Sequence, residues 1–175
     1  MSNTVSKIDN ILKNKGLSRY KLSKLINCTE GALNQMVRGN IAFSEKIILS
    51  ILPVLEVSRE EFESWILADK YSKELIQLAI EAKKTKRKDK KLIITAKIDE
   101  ILESKGLSRT AFSKQINHSQ SSFNNAITGK ESLSKNLMTK ISTAFEIPIE
   151  IIQSWVLADK YPLKTLEKAL AIYSV

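Results

Sequence analysis

The stretch SRYKLSKLINCTEGALNQMVRG, Ser18 to Gly39, holds two short helical patterns around a polar turn; 90 residues on, Ser108 to Gly129 repeats the plan as SRTAFSKQINHSQSSFNNAITG. In the first stretch Ser18 stands where an N-cap is needed, and Leu22, Leu25 and Ile26 share one face of the helix that follows. The pattern stops at Asn27, a residue that tolerates the left-handed conformation of a tight turn. Thr29 is placed to cap the next helix, in which Leu33, Met36 and Val37 point inward at i, i+3 and i+4 before Gly39 ends it.

The repeat extends outward from this stretch in both directions. Residues 7–80 and 97–170 align without a gap and are identical at 28 of 74 positions, among them Gly16-Leu17-Ser18-Arg19 and the block from Trp65 to Tyr71, so the chain is a tandem duplication. Upstream, Ile8, Ile11 and Leu12 form the apolar stripe of a first helix that ends at Gly16. Downstream, Ser44 caps a fourth helix running from Glu45 to about Leu55. A fifth begins near Ser58, with Glu60 and Glu61 at its positive end, and turns Phe62, Trp65 and Ile66 inward. Beyond Tyr71 and Tyr161 a sixth helix is expected, because Ser72 can cap it in one copy and Pro162 suits its first turn in the other. Leu75, Ile76 and Ala79 match Thr165, Leu166 and Ala169; this helix either packs on its own domain or makes a homodimer contact. The expected architecture is all-α, with one domain over residues 1–80, a Lys/Arg-rich linker over 81–93 and a second domain over 94–175.

Composition supports that class and excludes others. Among 175 residues 43% are hydrophobic, enough for ordinary globular cores, while five Gly and three Pro are too few for a turn-rich β protein. Apolar runs such as Ile47 to Leu49 are far too short to span a membrane, and residues 1–20 lack the apolar core of a signal peptide, so a soluble, cytoplasmic protein is expected. The single Cys28 and single His118 provide neither a disulfide nor a zinc site. With no nucleophile, base and orienting group in a shared pattern, no enzyme activity, cofactor or metal is expected.

The net charge is +9, from 28 basic and 19 acidic residues, which favours an anionic partner. The excess is concentrated: residues 81–93 carry 7 basic and 2 acidic side chains, against 11 and 9 in residues 1–80 and 10 and 8 in residues 94–175. Such a run is either a solvated linker or a phosphate-binding segment through Lys83, Lys84, Lys86, Arg87 and Lys88.

Ser18 to Gly39 and Ser108 to Gly129 resemble the helix-turn-helix of the Cro and cI repressor family, the XRE type, and the resemblance covers both domains. It is carried by Arg19, Leu22-Ser23, Asn27, Leu33, Met36, Gly39, Ser44, Leu55-Glu56-Val57 and Phe62, and in the second copy by Arg109, Phe112-Ser113, Asn117, Phe123, Ala126, Gly129, Ser134, Phe145-Glu146-Ile147 and Ile152. Ser23 and Ser113 replace the family's usual Ala, and Asn27 and Asn117 its usual Gly; both replacements are sterically compatible. The resemblance implies two lambda-repressor-like domains of five to six helices and double-stranded DNA as partner. It places base-reading positions at Glu30, Gly31 and Asn34 and at Gln120, Ser121 and Asn124, with Gln35 and Asn125 on the same outward face.

Phosphate contacts are expected from Arg19, Thr29 and Arg38 and from Arg109, Ser119, Thr128 and Lys130. The retention of Asn34 and Asn124, where neighbours changed, points to a shared role. The pair Gln120-Ser121 suits base readout, whereas Glu30-Gly31 brings a carboxylate towards phosphates, so specificity is expected mainly from the second copy. Trp65 and Trp155 are expected in the core, Asp69 and Asp159 in local hydrogen bonds, and His118 in the turn. The function expected is that of a DNA-binding transcriptional regulator, a repressor. The alternatives are a protein-binding inhibitor or adaptor on the same fold and an accessory DNA-binder of a plasmid or phage.

Overall fold

The computed structural model describes residues 3–85 and 91–173. They form twelve helices and, among the described residues, no strand. In chain order these are α1 (Asn3–Asn14), α2 (Arg19–Leu25), α3 (Glu30–Val37), α4 (Glu45–Leu55), α5 (Arg59–Lys70) and α6 (Lys73–Lys84), then α7 (Ile93–Ser104), α8 (Arg109–Gln115), α9 (Gln120–Ile127), α10 (Lys135–Phe145), α11 (Ile149–Lys160) and α12 (Leu163–Ile172). No helix among the described residues is long and apolar enough to cross a membrane.

The chain divides into two compact units, but not where the repeat divides. The first unit comprises α1 to α5 together with α12; the second comprises α6 to α11. Each sixth helix therefore belongs to the unit built by the other copy. Glu81 to Lys84, the start of the Lys/Arg-rich segment, lie in the last turn of α6. The apolar faces of the sixth helices are covered within the chain, with Leu75, Ile76, Ala79 and Ile80 buried on α6 and Leu166 and Ala169 on α12.

Local chemistry explains the helix boundaries. The side chains of Ser18, Thr29, Ser44 and Ser58 accept from the backbone N–H of Lys21, Ala32, Ile47 and Glu61, and Ser108, Ser119 and Ser134 do the same in the second copy. Pro148 replaces Ser58 and gives α11 no side-chain cap. Asn27 and Asn117 adopt φ of 53° and 48°, the left-handed turn that lets the following helix start in a new direction. Glu56 and Glu146 also sit there, at φ of 57° and 58°, ending α4 and α10 without the glycine usual at that point.

The first helices are capped from a distance. Asp69 near the end of α5 accepts from the backbone N–H of Asn3 and Thr4 at 2.6 and 2.8 Å, and Asp159 on α11 accepts from Ile93 and Ile94 at 2.7 and 2.9 Å. A carboxylate satisfies two free donors and sits at the positive end of a dipole, which ties α5 to α1 and α11 to α7. This gives the Asp of the shared Trp65-to-Tyr71 block a structural reason.

Both cores fill the same positions with different side chains. In the first unit Ile8, Leu12, Leu22, Leu33, Ile51 and Leu55 surround Phe62, which meets Phe43 and Trp65 edge-on at 5.1 and 5.8 Å. In the second, Phe112, Phe123 and Phe145 stand where Leu22, Leu33 and Leu55 stood, with Phe112 stacked on Phe145 at 4.4 Å and 5.5 Å from Phe123. Ile152 takes the place of Phe62, so the aromatic side chains stand at different positions in the two cores. Trp65 and Trp155 are both buried. Leu25, expected inside from its spacing, is 60% exposed, because Leu22 and Ile26 already fill the narrow inward face of a seven-residue helix.

Candidate nucleic-acid interface

In each unit two short helices meet across a left-handed turn: α2 and α3 at Asn27, α8 and α9 at Asn117. Both α3 and α9 bury one stripe, Leu33, Met36 and Val37 in the first and Phe123, Ala126 and Ile127 in the second. The opposite side of their first turns is exposed. Glu30, Gly31 and Gln35 lie on that side of α3, and Gln120 and Ser121 on that of α9. Thr29 and Ser119 are exposed one residue earlier, with their side-chain oxygens engaged as caps. Arg38, Thr128 and Lys130 are exposed just past the helices, although the Thr128 hydroxyl donates back to Asn124 O at 2.7 Å.

Asn34 and Asn124 lie elsewhere. Both are half-buried, unlike the exposed residues of the open side. Arg19 explains the first: its Nε and Nη2 grip Asp9 at 2.7 and 2.6 Å, and its Nη1 donates to Asn34 Oδ1 at 2.9 Å. The hydrogen bonds to Asp9, working against partial burial, raise the pKa of Arg19 still further above its ordinary value. Arg19 thus links α1, α2 and α3 as a positioning residue, which changes its expected role as a phosphate ligand and accounts for Asn34 without DNA. Arg109 grips Asp99 in the same way at 2.7 Å for both bonds, holding the Asp99 carboxyl below the usual range, with Lys91 adding to the effect. Here the parallel ends: Asn124 Oδ1 is buried without a hydrogen-bond partner.

Other polar side chains on this face are also engaged. Asn40 Nδ2 donates to Gln35 Oε1 at 2.6 Å, and Asn125 Nδ2, on a half-buried residue, donates to Glu131 Oε1 at 3.0 Å. His118 sits in the turn, half-buried, with its Nε2 enclosed and unpartnered.

Within the basic segment one lysine is engaged by the fold. Lys83, expected on phosphate, donates its ammonium to Ala158 O at 2.5 Å and Tyr161 O at 2.7 Å, closing the C-terminal end of α11. This corrects its assignment, since a cation that satisfies orphan helix carbonyls is no longer free for an anion. Lys84 is exposed on the last turn of α6. Lys86, Arg87 and Lys88 lie outside the described residues.

Some supports of this face went unread in the sequence. Thr95 on α7 donates to Ile127 O at 2.5 Å, and Lys140 on α10 donates to Asn117 O at 2.8 Å, so α9 is held at its end and at the turn before it. The first copy has Val5 and Ser50 at those positions. Conversely, all the large apolar side chains most exposed among the described residues are in the first copy: Tyr20, Leu25, Ile41 and Leu49, at 48 to 60% exposure, opposite Thr110, Gln115, Glu131 and Thr139 in the second. Comparing the two copies position by position would have exposed that contrast.

Comparison of the chain with protein-family models, with curated proteins and with solved structures finds no match. Among the described residues there is no cluster of three or more His, Cys, Asp or Glu side chains able to hold a metal ion.

Proposed function

We propose that this chain is a sequence-specific double-stranded DNA-binding regulator of the Cro/cI type, acting as a repressor, with α9 as its principal reading helix. The observation that carries this reading is the exposed, uncharged polar first turn of α9, where Gln120 and Ser121 project from a helix start capped by Ser119, with Lys140 holding the turn before it and Thr95 its far end. A helix of this width enters the B-DNA major groove; Gln pairs bidentately with adenine and Ser with several base edges. The free N–H groups of the α9 start and the exposed Lys130 add phosphate contacts. The helix α3, with Glu30 and Gly31 in place of Gln120 and Ser121, then reads a different sequence or contributes orientation alone, so the bound site has two unlike halves. The same chemistry serves an accessory protein of plasmid or phage DNA equally well.

A second reading is favoured by the exposed Tyr20, Leu25, Ile41 and Leu49: the first copy serves as a protein-binding adaptor surface. A salt titration with a selected duplex separates the two, because each phosphate contact contributes about 0.9 to the slope of log affinity against log salt. A steep slope supports DNA binding, and a flat response overturns it.

A further inference from the structure

The position of α12 in the first unit is specified by more than apolar burial. Leu166 and Ala169 are buried, and Ile172 packs against the core formed by Ile8, Phe62 and Trp65. Beyond its last turn the Tyr173 hydroxyl donates to Ala68 O at 2.6 Å and also to Tyr71 O, closing the end of α5. Tyr173 and Lys83 occupy the same repeat position and cap the corresponding carbonyls, Ala68 and Tyr71 in one unit and Ala158 and Tyr161 in the other. Each sixth helix closes a unit to which its own copy contributed no other helix.

Side chains of opposite charge line this seat. Lys168 shares a cleft of about 320 Å³ with Lys7, Glu61, Ser64, Trp65 and Ile172. The backbone N–H of Glu60 itself holds its carboxyl below the usual range, the Ser58 side chain adds to this, and Lys164 and Lys168 on α12 contribute the smallest effects. The first copy's own sixth helix has Glu74 and Leu78 at the positions of Lys164 and Lys168. Placed on its own copy it would set Glu74 against Glu60 and Glu61. In the second copy Ile151 replaces Glu61, so that seat lacks one of the two charges α12 uses.

We propose that the seat on α1 and α5 is a recognition site for a lysine-bearing amphipathic helix, filled here by α12 and open to the same helix from a second copy of this chain. The same bonds form whether α12 arrives in cis or in trans, so only effective concentration, in the millimolar range for a short tether, favours the chain's own helix. It follows that the first unit lacks its final helix until α12 has been made. The proposal is independent of DNA binding.

The test uses the full-length chain with Trp155→Phe, leaving Trp65 as the sole tryptophan, and with Leu166→Asp and Ala169→Asp to evict α12. The probe is a synthetic peptide of residues 162–175. The expected result is saturable binding that restores the Trp65 emission of the uninterrupted chain, weakened at least tenfold by Glu60→Lys with Glu61→Lys and regained with a peptide carrying Lys164→Glu and Lys168→Glu. The chain with α12 intact should not bind the peptide at the same concentration. Absence of binding, binding indifferent to charge reversal, or equal binding of a peptide of residues 72–85 overturns the proposal. If the evicted chain fails to fold, Lys164→Glu with Lys168→Glu in the intact chain is used instead: a lower melting temperature reversed by Glu60→Lys with Glu61→Lys supports it, and an unchanged one overturns it.

Discussion

The helices α3 and α9 occupy the same repeat position with equal length, yet they are held and surfaced differently. On α9 the inward Phe123 meets Phe112, which stacks on Phe145, and Thr95 and Lys140 secure the helix end and the turn before it. On α3 the corresponding residues are Leu33, Leu22, Leu55, Val5 and Ser50, and only the Arg19 to Asn34 bond is gained. The outward faces diverge in parallel: α9 offers Gln120 and Ser121, whereas Glu30 and Gly31 on α3 belong to a copy that exposes Tyr20, Leu25 and Ile41. The two copies share the turn, the caps of these two helices and the Arg–Asp grip, and differ in the added support of α9 and the more apolar surroundings of α3. Under the proposed function, a helix that places side chains on base edges gains from rigid support, and α9 is the better supported of the two.

The largest break in this comparison is expected from Phe123→Ala. It should destabilise the second unit by about 3–5 kcal/mol, at the upper end of what Leu33→Ala costs the first, measured by urea unfolding with Trp155 and Trp65 read separately in single-tryptophan variants. Equal losses would mean that the aromatic cluster gives α9 no special support. Next comes readout: Gln120→Ala should weaken specific duplex binding by about 1–3 kcal/mol, read by fluorescence anisotropy, and Glu30→Ala should leave it unchanged or slightly tighter. The reverse order would move the reader to α3.

The Arg–Asp grip sharpens the comparison on a smaller scale. Because the carboxyl of Asp99 titrates below its unfolded value, its contribution is complete above about pH 4 and is lost as pH falls through the lowered folded value. Asp99→Asn should therefore cost about 1 kcal/mol at neutral pH and flatten the acid limb of the second unit's stability profile. An unchanged acid limb would show that the grip is energetically idle. The smallest effect is expected at Glu146, whose φ of 58° disfavours a side chain. Glu146→Gly should raise stability by about 0.5 kcal/mol in thermal melts, relief of left-handed strain outweighing the added freedom of the unfolded chain.

Much of the fold was legible because its determinants are local. Ser18, Thr29, Ser44 and Asn27 announce their caps and turn from sequence alone, and the inward stripe of α3 and the burial of Phe62 and Trp65 on α5 follow from their spacing. What was not legible depends on partners distant in the chain. The apolar stripe of a sixth helix says that it must be covered, not by which copy, and Lys83 looks like any lysine in a basic run until Ala158 and Tyr161 stand beside it. Asn34 shows the converse: it reads as an outward recognition residue, yet Arg19, fifteen residues earlier, takes its Oδ1 in a bond that has no counterpart at Asn124. Leu25 fits an apolar period that a seven-residue helix has no room to bury.

The central claim is that α9 reads base sequence from its first turn. The most direct measurement is selection of duplexes from a random pool, run in parallel with the unaltered chain and with Gln120→Ala plus Ser121→Ala. The account predicts one enriched motif with two unlike halves for the unaltered chain, and loss or change of the bases in one half for the variant. No enriched motif, or the same motif from both proteins, would contradict it.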